Sequence, residues 1–186
     1  MISEILEVYN QASKFDRQGR NWYRNAHTEC EYLACKYNLS VEVVCGIVAA
    51  LSPRLKWEEN IEAAERVITG KSEGIRALKT NVRKAESILK TGEVKMGGPK
   101  VNNFYLNLLN PEDGESVTID TWAARIALGD WQWKKTVNEK LYWQLADEYR
   151  AAAAEVGMLP SELQAITWES IRRRAKAGKA QIALDI

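Results

Sequence analysis

The segment VEVVCGIVAALS, residues 41–52, is the strongest constraint on the fold. From Val43 to Leu51 it carries no charge and is apolar on every side of a helix. Such a helix belongs in the middle of a domain, with other helices packed around it. Ser40 offers an N-cap oxygen at its start and Pro53 ends it.

The flanking segments have the pattern to cover it. Residues 2–12 place Ile2, Ile5, Leu6 and Tyr9 at helical spacing. A second helix fits Asn21 to Tyr37, with Trp22, Ala26, Leu33 and Tyr37 facing inward and Asn38 closing it in a left-handed turn. Trp57 to Thr69 is amphipathic and stops at Gly70. Asn81–Lys90 is basic and helical, and VNNFYLNLLN follows the turn Gly97-Gly98-Pro99-Lys100. TWAARIALG starts after Asp120, and residues 138–156 carry the longest amphipathic stripe. Pro160 with a Ser161-x-x-Gln164 capping box opens the last helix, LQAITWESIRRR. Val117-Thr118-Ile119 is too short to argue for a sheet. The chain reads as all-α, with nine or ten helices. It forms one domain over 1–186, or two lobes, about 38–128 as one and 1–37 plus 129–186 as the other.

Three cysteines (Cys30, Cys35, Cys45) and one histidine (His27) do not make a zinc or iron–sulfur ligand set. No metal and no cofactor is expected, and the cysteines should pack as small hydrophobes. No apolar run reaches membrane-spanning length and no signal peptide is visible, so the expected location is cytoplasmic. The net charge is +1, but it is unevenly spread: residues 71–100 hold eight Lys/Arg against three acids. That patch is either a polyanion footprint or a solvated helix face.

Several features then fall in a telling order. The buried helix ends in a basic connector within AALSPRLKWEENI. Asn81-Val82-Arg83-Lys84-Ala85-Glu86-Ser87-Ile88 has the form N-x-x-K-A-x-x-I. A glycine turn ends in Lys100. About twenty residues on come Ile119-Asp120-Thr121 and Arg125, and a Trp, Trp168, sits in the closing helix. Over roughly residues 40–175 this resembles the helix-hairpin-helix (HhH-GPD) DNA glycosylase superfamily. The chain is also similar to short phage-encoded proteins with AALSP, VTID and LPxxxQAITW blocks.

The resemblance implies a two-lobed helical fold with a degenerate helix-hairpin-helix motif, a DNA partner, and hydrolysis of the base–sugar bond. Asp120 would stabilise the sugar cation, as a carboxylate near the anomeric carbon does. Its other reading is a helix cap and nothing more. Lys100 would be a covalent amine, and otherwise a phosphate contact or the end of a turn. Ser52, Arg54 and Lys56 on the connector, Gly97 and Gly98 in the turn, and Arg125 would contact DNA. Trp22 and Trp122 would line a base pocket, although tryptophans at helical spacing also serve as core.

The sequence departs from the family in four places: the hairpin is abbreviated and lacks the usual first helix, no cysteine-ligated cluster follows, and two single residues differ. Pro99 removes a backbone N–H from the turn, and Arg54 stands near where a glutamine enters the DNA stack. Two other functions stay open: a transferase that modifies phage DNA bases on the same fold, and a non-catalytic DNA- or protein-binding module.

Overall fold

The computed structural model describes residues 1–184, and the side chains of residues 1–175. The protein is all-α. Among the described residues it has nine helices and one 3-10 helix, Asp16–Asn21. The helices are α1 (Ile2–Asn10), α2 (Trp22–Tyr37), α3 (Val41–Leu51), α4 (Trp57–Ile68), α5 (Lys79–Thr91), α6 (Pro99–Leu109), α7 (Thr121–Leu128), α8 (Glu139–Glu155) and α9 (Pro160–Leu184). The segment 117–119 belongs to no strand or helix. No single helix among the described residues is long and apolar enough to cross a membrane.

Two compact units result. One is continuous, residues 24–111; the other joins both ends of the chain, 1–23 with 112–186. These borders differ from 37/38 and 128/129, where the sequence suggested them. Most of α2 belongs with 24–111, where Cys30 is fully buried and His27 Nδ1 donates to the Leu108 carbonyl at 2.7 Å. Helix α7 belongs with the chain ends, where Ile119, Ala123, Ala124 and Ile126 share a core with Ile5, Tyr142 and Tyr149.

In the 24–111 unit, α3 is the central helix, and α4, α5 and α6 pack on it. Every residue from Val43 to Leu51 is buried, as its composition demanded. Ser40 Oγ accepts from Val43 N–H at 3.2 Å. Gly46 sits mid-helix because Val94 packs there: a Cβ at that position would meet Val94 Cγ2 at 2.8 Å. Asn38 closes α2 at φ +52°. Cys30 and Cys45 are buried, whereas Cys35 is exposed on α2 and does not pack as a core residue.

In the other unit, α1, α7, α8 and α9 surround a core rich in alanine. Small side chains let the helix backbones approach closely and leave the volume to a few large residues, chiefly Tyr142, Tyr149 and Ile5. Helix α9 starts at Pro160, not with a Ser161–Gln164 box. Glu162 Oε2 accepts from Leu159 N–H at 3.2 Å, and the Ser161 hydroxyl is buried without a partner.

The segment before α7 is tethered by a side chain. Tyr142 Oη donates to the Val117 carbonyl at 2.8 Å and accepts from Ile119 N–H at 3.3 Å. Tyr142→Phe strands both backbone groups in a dry core. Urea unfolding should show a loss of about 2–3 kcal/mol with the slope unchanged.

Candidate functional site

Asp120 lies at the junction of that tethered segment and helix α7. Its backbone is extended and its Oδ1 accepts from Ala123 N–H at 2.8 Å, so it is the N-cap. The free N–H groups of a helix start favour negative charge at that position. Oδ2 accepts from Trp168 Nε1–H on α9 at 3.1 Å. The residue is half-buried, neither sealed in the core nor fully open.

The surroundings of Asp120 are aromatic. Tyr23 and Tyr149 are buried, and burial pushes both phenols well above their ordinary range, with the Asp120 charge adding to the effect. Both therefore stay protonated at neutral pH. Tyr23 Oη donates to Gln164 Oε1 at 3.4 Å. Gln164 and Trp168 lie one turn apart on α9, on the same face. The Trp22 ring stands edge-on to Tyr23, centroids 4.8 Å apart. Trp22 thus reaches Asp120 through a chain of contacts: Tyr23, Gln164 and the next turn of α9.

Trp122 follows Asp120 on α7 and is half-buried. The Arg125 guanidinium stacks 4.9 Å from its ring centre, and Arg125 Nε donates to the Trp133 carbonyl at 2.8 Å. Arg125 thereby ties the loop after α7 to that helix. Of the three arginines on α9, Arg172 stacks 4.2 Å over Trp168. Arg173 forms a two-pronged pair with Asp16, and Arg174 donates to the Gln11 side chain and carbonyl. The last two serve to hold α9 to the N-terminal segment.

The remaining candidates lie in the 24–111 unit. Ser52 is half-buried and its hydroxyl donates to the Ala49 carbonyl at 2.9 Å, finishing α3. Arg54 is exposed and adopts φ +72°, a left-handed conformation that few residues with a side chain take. Lys56 is exposed, and its N–H donates to Glu59 Oε2 at the start of α4. Gly97 and Gly98 are exposed; Gly98, at φ +80°, is the N-cap of α6, with Pro99 in its first turn. No side chain caps that helix. Lys84 lies alongside: a Cβ on Gly97 would stand 3.7 Å from its Nζ. Lys100 is exposed on the first turn of α6. Lys84 Nζ thus stands beside a helix start that no side chain caps and whose first turn carries Lys100; helix starts attract anions.

A groove of about 330 Å³ also lies in this unit, between α2 and α4, lined by Tyr32, Leu33, Lys36, Ile61 and Glu65 among others. None of the candidate residues lines it. Lys36 and Glu65 are paired there: Glu65 Oε1 accepts from Lys36 Nζ at 2.7 Å and from Tyr37 Oη at 2.6 Å. Among the described residues no three His, Cys, Asp or Glu side chains cluster as metal ligands would.

Sequence reasoning singled out Asp120 but not the contacts of Tyr23, Gln164 and Trp168 around it. The spacing of Gln164 and Trp168 marks a common face; nothing local says that Asp120 meets it. No curated protein and no solved structure matches the chain. Residues 1–175 match the model of DUF7178, a family of unknown function, and the chain belongs to that family.

Proposed function

We propose that this protein is a DNA base-processing enzyme of the N-glycosylase type, built on a two-lobed glycosylase-like fold. The turn Gly97-Gly98-Pro99-Lys100 leading into helix α6 is its abbreviated hairpin, without the usual first helix. Asp120 stabilises the positive charge that develops on the sugar as the base departs. Lys100 is the amine available for attack on the anomeric carbon.

The observation that carries this reading is the state of Asp120. It is a half-buried carboxylate at a helix N-terminus, with both oxygens held and tyrosine and tryptophan rings around it. A fixed anion beside aromatic surfaces suits a sugar cation and a planar base. The lysines at the start of α6, with Arg54 and Lys56 on the connector, suit a phosphate backbone.

A second reading is favoured by the same carboxylate. Both Asp120 oxygens already have structural partners, which is what a cap and brace requires. The protein would then be a DNA-binding module without chemistry.

The test uses single- and double-stranded oligonucleotides carrying uracil, oxidised, alkylated or hydroxymethylated bases. Base release from at least one of them supports the enzyme. A borohydride-trapped adduct that disappears in Lys100→Ala assigns the covalent amine to Lys100, whereas base release kept in Lys100→Ala and lost in Asp120→Asn selects a monofunctional glycosylase. Salt-sensitive binding without base release selects the module. Neither binding nor release removes DNA as the partner.

A further inference from the structure

We infer that Trp168 is the positioning residue for Asp120; this rests on the reading of Asp120 given above. The two carboxylate oxygens have separate tasks. Oδ1 alone completes the cap of α7, accepting from Ala123 N–H at 2.8 Å. Oδ2 is not needed for the cap, yet Trp168 Nε1–H reaches it from a helix 48 residues further along the chain. One hydrogen bond leaves a carboxylate free to rock about its Cβ–Cγ bond. Two donors on opposite oxygens fix its plane.

The ring that supplies the second donor is itself held. Arg172, one turn further on α9, lies 4.2 Å over its centre. The next two residues anchor the same stretch of helix to Asp16 and Gln11. Trp168 is therefore carried on a part of α9 anchored to the N-terminal segment at Gln11 and Asp16. An ion that must meet a short-lived sugar cation acts through its aim as well as its charge, since misdirected groups lose much of their effect. Trp168 governs that aim.

The experiment compares wild type and Trp168→Phe, as full-length chains, on whichever oligonucleotide of the panel above releases its base. Removing the N–H should lower kcat about ten-fold and leave KM within about two-fold. In parallel, [15N]tryptophan-labelled protein gives one indole N–H resonance that disappears in Trp168→Phe. That resonance should shift in Asp120→Asn. An unchanged kcat in Trp168→Phe, or an indole resonance indifferent to Asp120→Asn, overturns the inference. Should the wild type release no base at all, the enzymatic reading fails on its own. The indole resonance still decides whether Trp168 holds Asp120.

Discussion

Asp120→Asn should slow base release about 10²–10³-fold, the usual consequence of deleting one preorganised electrostatic group from an active site. The substitution separates the two readings of this residue because asparagine caps helices about as well as aspartate. The amide oxygen can still accept from Ala123 N–H, so α7 keeps its start. What is lost is the charge. The amide NH2 replaces Oδ2 and opposes the Trp168 N–H, donor against donor. That local mismatch costs about 1–3 kcal/mol, measurable by thermal unfolding and separable from the kinetic effect. Single-turnover base release by wild type and variant is the deciding measurement. Equal rates would leave Asp120 a cap and end the glycosylase reading.

The second large effect is on stability, at Asp16. Its carboxylate is 1 % exposed, and both prongs of Arg173 donate to it at 2.8 Å. Ser13 adds its N–H and its hydroxyl, each at 2.8 Å. The Arg173 guanidinium holds the Asp16 carboxyl well below the usual carboxylate range, against the opposing effect of burial, and Ser13 assists. The two deletions are not equivalent. Asp16→Ala frees an arginine that is 46 % exposed and can rehydrate. Arg173→Met strands a buried anion, so it should cost more, about 3–5 kcal/mol.

The pH dependence follows from the sign of the shift. A carboxyl whose folded pKa is depressed contributes its full stability above the unfolded value, about 3.9. That contribution fades as the pH falls from there toward the lower folded value. The wild type should therefore show no change from this pair between pH 7 and 5, and a decline below about 4. Without Arg173 the pair's contribution is gone at neutral pH and the acid-induced loss attached to it vanishes. Urea unfolding at pH 7, 5 and 3 for wild type and Arg173→Met measures both effects.

These two residues show what could be read from the chain and what could not. Asp120 was legible because a cap is local: its partner, Ala123 N–H, is three residues away. The same holds for Ser40 with Val43 and for the left-handed turn at Asn38. The helices themselves followed from the apolar period, and the buried position of α3 from its lack of any polar face. Where local signals competed, sequence reasoning erred. At the start of α9 a Ser161–Gln164 box was expected; Glu162 instead accepts from Leu159 N–H, and the Ser161 hydroxyl is buried without a partner.

The amino-acid order by itself determined an all-α chain around one apolar helix, with a carboxylate at the mouth of α7 and lysines at the mouth of α6. Those features depend on contacts within a turn or two, which spacing encodes. Only the tertiary structure decided that Trp168 braces Asp120 over 48 residues, and that Arg173 closes on Asp16 over 157. It also decided that α7 belongs with the two chain ends. Such pairings arise when whole helices pack to bury their apolar faces, and the packing angle of each helix sets which polar groups meet. No spacing along the chain records that angle.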